Sequence, residues 1–166
     1  MITKIESVPI GTKVLAEFLG EKIETFNSWR KVGLLENASQ GHGRPAEYRL
    51  PGILSACLFS KLLRIGVKAT DAAPVANHAD CIGPFTRASD DAPRVEIFFR
   101  DGRAALSGDP LADPILGIPL TPIFSAVVDL LADQIAGQYG DEDAGRAALA
   151  EFWESVAQAR QRDVRQ

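Results

Sequence analysis

The stretch from Thr12 to Gly66 constrains the fold most, because helical periodicity is broken there by glycine at fixed short intervals. Thr12 to Leu19 carries Val14, Leu15, Phe18 and Leu19 at helical spacing and stops at Gly20, a residue suited to a left-handed helix end. Thr12 is the expected N-cap. A second amphipathic segment, Glu21 to Leu35, follows with room only for a turn, and Gly33 lies at its end. Ile23 and Phe26, three apart, are expected in the core, with Lys22, Asn27, Arg30 and Lys31 on another face. Ser39, Gln40, Gly41, His42, Gly43, Arg44 and Pro45 then form a glycine-rich basic loop. Tyr48, Arg49 and Leu50 lead into a long helix from Pro51 to Ile65, with proline in its first turn and Gly66 after its end. Ile53, Leu54, Cys57, Leu58, Leu62 and Ile65 trace its apolar face, while Lys61 and Arg64 project into solvent. The order is helix, turn, helix, wing, support helix.

Charge is divided along the chain. Met1 to Lys68 holds ten Lys/Arg against six Asp/Glu, whereas Ala69 to Gln166 holds eight Arg, no Lys and sixteen Asp/Glu. A basic front and an acidic back, within a net charge of −4, fit a nucleic-acid-binding head on a separate body. With 46% hydrophobic and 24% charged residues the chain can bury a core. No apolar run reaches membrane-spanning length and Met1 to Glu6 has no signal-like apolar region, so the expectation is a cytoplasmic protein with no membrane partner. Cys57 and Cys81 offer no disulfide framework. His78 and Cys81 lie three apart, but His42 and Cys57 are distant in sequence, so no metal site or cofactor is expected.

The segment "GEKIETFNSWRKVGLL", Gly20 to Leu35, resembles the signature of MerR-type winged helix-turn-helix regulators: a glycine turn, then a helix with a Thr, an aromatic and a terminal Gly-Leu-Leu. "GHGRPAEYRLPGIL", Gly41 to Leu54, is similar to their Gly/Arg wing and the Tyr before the next helix. The likeness covers somewhat less than half of the chain. It departs from the family pattern at Lys22, at Asn27 in place of an early Arg, and at Glu36, Asn37 and Ala38, which lack the usual Arg. The resemblance implies double-stranded DNA as partner, with Thr25 and Trp29 at backbone contacts. A core position for Trp29, wedged against the wing, is the alternative.

The side-chain chemistry suits that partner. The Asn27 amide can match adenine N6 and N7, and Arg30 can match guanine O6 and N7. Lys22, Lys31, His42, Arg44 and Arg49 supply donors or charge for phosphates or a narrow minor groove.

Beyond Gly66, Thr70 is the expected cap of a short helix, Asp71 to Ala79, with Pro74 in its first turn. Gly83, Pro84, Asp90, Asp91 and Pro93 read as a linker. Val95, Ile97 and Phe99 alternate before an Asp101-Gly102 turn and a return over Ala104 to Leu106, a hairpin that needs a third strand, a helix or a second subunit to cover it. Gly108 to Leu120 reads as a loop, Thr121 and Pro122 as the cap and first turn of a helix to about Ala136, and Asp141 to Arg160 as a last helix with a stripe of Leu149, Phe152, Trp153 and Val156. Before Thr12, Val8, Pro9 and Ile10 are expected to be extended.

The predicted architecture is therefore mainly α with small β: a winged helix-turn-helix domain over residues 1–80, a linker over 81–93, and a hairpin-plus-helices region over 94–166 that dimerises or receives a small-molecule or protein signal. No catalytic motif is present, so an enzyme is not expected. A dimeric, sequence-specific transcriptional regulator is the leading expectation. The alternatives are an excisionase-like or phage packaging small-subunit DNA-binding factor, and a protein-interaction module without DNA binding.

Overall fold

The computed structural model describes residues 3–35, 46–87 and 92–165. It is mainly helical, with two small antiparallel sheets. The first element is one that periodicity does not reveal. Thr3 and Glu6 form a capping box around α1 (Lys4–Ser7): the Glu6 carboxylate accepts from the Thr3 backbone N–H at 2.8 Å, and the Thr3 hydroxyl accepts from the Glu6 N–H at 3.4 Å. Ile5 is fully buried, and α1 touches α4 (Leu50–Arg64), α7 (Thr121–Tyr139) and α8 (Glu142–Asp163). This single turn thus joins the front of the chain to its last helices.

Strand β1 (Ile10–Gly11) pairs with β2 (Glu47–Tyr48), so the chain returning toward α4 is tied to the start of α2 (Thr12–Leu19). The N-cap of α2 is Gly11 and not Thr12, and no side chain caps it. Gly20, at φ 72°, ends α2 as expected, with the Glu21 N–H reaching the Ala16 carbonyl at 2.9 Å. Helix α3 (Ile23–Lys31) is shorter than the Glu21 to Leu35 segment predicted for it, and a turn occupies residues 32–35.

Helix α4 is buried on more than the one face predicted. Ala56 and Phe59 are enclosed along with Ile53, Leu54, Cys57, Leu58 and Leu62, whereas Ile65, expected inside, is exposed past the helix end. It touches α1, α2, β2, α7 and α5 (Ala69–His78), which makes it the central element. Helix α5 begins before Thr70, with Lys68 as N-cap, and Pro74 therefore falls in its interior on the exposed side. Residues 81–87, in the stretch read as a linker, contain α6 (Gly83–Thr86), whose Pro84 and Phe85 are buried.

The predicted hairpin is β3 (Arg94–Arg100) and β4 (Arg103–Ala105), joined through Asp101 and Gly102 at φ 50° and 75°, the doubly positive pair of a type I′ turn. A third strand, β5 (Ile115–Pro119), pairs with the other edge of β3 inside the stretch read as a loop. The hairpin thus gains its third strand within the chain. Thr121 occupies the first helical position of α7, after Leu120 as N-cap, and α7 runs on to Gly140 at φ 63°. Helix α8 turns back against it at Gly145, where a Cβ would lie 2.7 Å from the Ala132 carbonyl oxygen. The buried apolar side chains of both halves form one continuous cluster. Among the described residues, no helix is long and apolar enough to cross a membrane.

Candidate nucleic-acid interface

Helix α3 carries the residues singled out for sequence reading, and its burial pattern sorts them. At about 100° per residue, Phe26 and Trp29 point together into the core. Phe26 meets Tyr48 edge-on at 5.7 Å, and Trp29 meets Phe59 of α4 at 5.1 Å. Trp29 is only 7% exposed, so its ring is a core wedge and is unavailable as a surface contact. The opposite face presents Ile23, Glu24, Asn27, Ser28 and Lys31 to solvent. Ile23, expected in the core beside Phe26, is 40% exposed because it opens the helix on the outer side. Arg30 lies half-buried on the flank next to Ile23 and Asn27, and Thr25 half-buried on the other flank next to Ser28.

Lys22 is the exposed N-cap of α3, and Arg49 the exposed N-cap of α4. Arg30 and Lys31 close the last turn of α3, where cations oppose the negative end of the helix dipole. Among the described residues, the side chains of Lys22, Asn27, Arg30, Lys31 and Arg49 make no hydrogen bond or ion pair. Glu24, on the same outer face, and Glu47, beside Arg49 in sequence, are exposed carboxylates that the sequence reading passed over. They reduce the positive field of the face without reversing it. Arg64 is exposed, as read from the sequence, and its Nη2 also donates to the Leu19 carbonyl at 3.0 Å and so caps α2.

The exit from α3 is fixed by a residue that sequence reasoning missed. Asn77 of α5 accepts from the Leu35 N–H at 2.9 Å and donates to the Gly33 carbonyl at 2.7 Å. Leu35 sits at φ 60°, a left-handed conformation that disfavours a side-chain-bearing residue by about 1–2 kcal/mol. The two amide bonds hold that conformation. On the far side, Tyr48 pairs with Ile10. Leu35 and Tyr48 are therefore both held in the core. The predicted wing residues His42 and Arg44 lie outside the described residues.

Burial, then the nearby Cys81, pushes the Cys57 thiol up to about 12; burial, then Asp80, raises Cys81 to about 11, so both are inert thiols at neutral pH. Among the described residues no three His, Cys, Asp or Glu side chains gather where they could hold a metal ion. No protein-family model, curated protein or solved structure matches this chain.

Proposed function

We propose that the chain is a cytoplasmic, sequence-reading DNA-binding protein of the MerR-like winged helix-turn-helix kind, acting as a dimeric transcriptional regulator. The observation that carries the reading is α3 itself: a short helix held from below by Phe26 and Trp29, whose outer side offers Asn27 and Lys31, with Arg30 at its flank, to an external partner. In this reading α2 supports α3, residues 39–48 are the wing, and α4 is the support helix. One α-helix fits a major groove. Asn27 and Arg30 then read base edges, while Lys22, Lys31, Arg44, Arg49 and His42 set register on phosphates. Thr25 is retained as a backbone contact, and Trp29 is assigned to the core that orients the helix.

Two copies, with their heads related by a two-fold axis, would bind a two-fold site. Because β5 already completes the sheet, dimerisation is assigned to helix surfaces and not to a missing strand. A second reading, a protein-interaction module, draws on Ile23 and Glu24, an apolar and an acidic residue in the middle of the same outer face.

Selection from a pool of random duplexes at two salt concentrations separates the two. Enrichment of a two-fold motif with binding that weakens steeply in salt is the expected result. Arg44→Ala is expected to weaken all sequences alike and to lower the salt slope by about one, and Asn27→Ala to relax preference at one base pair by about 1–3 kcal/mol. Absence of both enrichment and salt dependence overturns the DNA reading.

A further inference from the structure

A groove of about 400 Å³ opens on the side of the molecule formed by α6, the start of α7 and the second half of α8. Phe85, Pro93, Thr121, Trp153, Val156 and Arg160 line it. Its aromatic wall is well ordered by packing: Phe85 stacks on Phe124 at 3.8 Å with the planes 17° apart, and Trp153 meets Phe152 at 5.4 Å and Phe124 at 6.1 Å. Trp153 nevertheless stays 38% exposed, whereas Phe152 and Val156, on the same helical stripe, are buried. The stripe read from sequence as a packing or partner surface is thus spent internally except at this ring.

Among the described residues, Arg160 is the only ionisable side chain in the lining. Its Nε donates to the Phe85 carbonyl at 2.7 Å, which fixes the guanidinium plane at the groove and leaves its two Nη groups without a hydrogen bond among the described residues. Among the described residues no carboxylate pairs with it, although the back half of the chain has twice as many acidic as basic residues. A held, unpaired cation beside an open aromatic wall is suited to one ligand chemistry: a single carboxylate on an apolar body. The volume falls within the range of small-molecule sites, about 300–1,000 Å³.

We infer that this groove binds a small apolar monocarboxylate, of the arylacetate size and kind. The carboxylate pairs with the Arg160 Nη groups, the Thr121 hydroxyl lies on the same lining, and the ring packs against Trp153 and Phe85. Guanidinium and carboxylate present matching pairs of donors and acceptors, so the contact is directional as well as charged. The inference is independent of DNA binding and is read on the protein alone.

The test uses the full chain, which contains two tryptophans, one at each end of the fold. Phenylacetate, indole-3-acetate and octanoate are titrated while the indole N–H resonances of Trp153 and Trp29 are followed, with phenylacetamide as the neutral counterpart. The expected result is a saturable shift of Trp153 with at least one of the acids while Trp29 stays fixed. Phenylacetamide is expected to bind at least about tenfold more weakly than phenylacetate, and Arg160→Gln to lose a similar factor for the acid, since hydrogen bonds between two charged groups are the stronger ones. Arg160→Lys, which keeps the charge but not the fork, is expected to recover part of the loss. The inference is overturned if no acid gives a saturable shift at millimolar concentration, if acid and amide bind equally, or if Trp29 moves together with Trp153. The acid-to-amide comparison is made on the unaltered chain, so a failure of Arg160→Gln to fold leaves the test intact.

Discussion

Around α3, the cations Lys22, Arg30, Lys31 and Arg49 have no acidic partner among the described residues, whereas around the sheet and α8 the arginines are mostly engaged. Arg94 pairs with Glu96 at 3.1 Å, Arg100 with Asp113 at 2.8 Å, and Arg146 with both Glu142 and Asp143. Both regions bury an aromatic cluster, Phe26, Trp29, Tyr48 and Phe59 in front and Phe85, Phe124, Phe152 and Trp153 behind. The core therefore does not distinguish them. What differs is the use of charge: among the described residues most arginines of the back meet an acid or, as Arg160 does, a backbone carbonyl, whereas these four cations of the front do not. Exposed ion pairs add little stability, so the pairing behind contributes little to the fold beyond the loop that Arg100 and Asp113 hold.

The strongest way to break that comparison is through the core that the two regions share. Phe124→Ala, in the back, is expected to destabilise the chain by about 3–5 kcal/mol. Because the buried cluster is continuous, the loss is expected as one transition seen equally by the indole N–H resonance of Trp29 in front and that of Trp153 behind. Two separated transitions would show that the regions fold independently.

A pair of asparagines sharpens the distinction between holding and reading. Asn77→Ala removes both bonds to Gly33 and Leu35 and leaves part-buried backbone groups unpaired, an expected loss of about 1–3 kcal/mol in denaturant unfolding. Asn27→Ala, on the exposed face, is expected to change stability by no more than about 0.5 kcal/mol while altering DNA preference. Equal destabilisation by the two would place Asn27 in the fold and not in the interface.

A smaller effect of opposite sign is expected at Tyr48. Its ring is buried against Phe26, and its hydroxyl is enclosed with no hydrogen-bond partner among the described residues. Tyr48→Phe is expected to leave stability unchanged or to raise the melting temperature slightly, because removing an unsatisfied buried hydroxyl outweighs anything it contributes. A clear loss would reveal a partner for that hydroxyl.

The smallest effect concerns Asp113, which accepts from Arg100 and from the Asp109 N–H and so orders the loop between β4 and β5. The Arg100 hydrogen bond, then the Asp109 N–H, hold its carboxyl below the ordinary value of 3.8. A depressed carboxylate stabilises the folded state above its unfolded pKa, and the contribution disappears as pH falls through the folded pKa. The stability difference between the natural chain and Asp113→Asn is therefore expected to be constant near neutrality and to shrink in acid. A difference that does not change with pH would assign the effect to shape and not to charge.

Much of the fold was legible where its signals are local. Gly20 and Gly66 end helices through backbone conformations that few other residues adopt readily, Pro51 starts one, and Asp101-Gly102 makes a turn by its own geometry. The capping box of Thr3 and Glu6 was equally legible and was passed over for the apolar residues that follow it. Strand β5 was not legible in the same way, since Gly117 and Pro119 read as loop residues. An edge strand tolerates both, and pairing with β3 decides the matter.

The sequence by itself determined where helices stop, how the charge is divided, and which residues on α3 are chemically able to meet a base or a phosphate. Tertiary structure decided which of them remain outside. The 100° step of a helix fixes only the angles between side chains, and the core supplies the direction, turning Trp29 inward and Ile23 outward. It also brought Asn77 to the end of α3 and Arg160 to the carbonyl of Phe85, contacts between residues more than forty positions apart. Such contacts arise only from packing, because no local preference of either partner encodes the other.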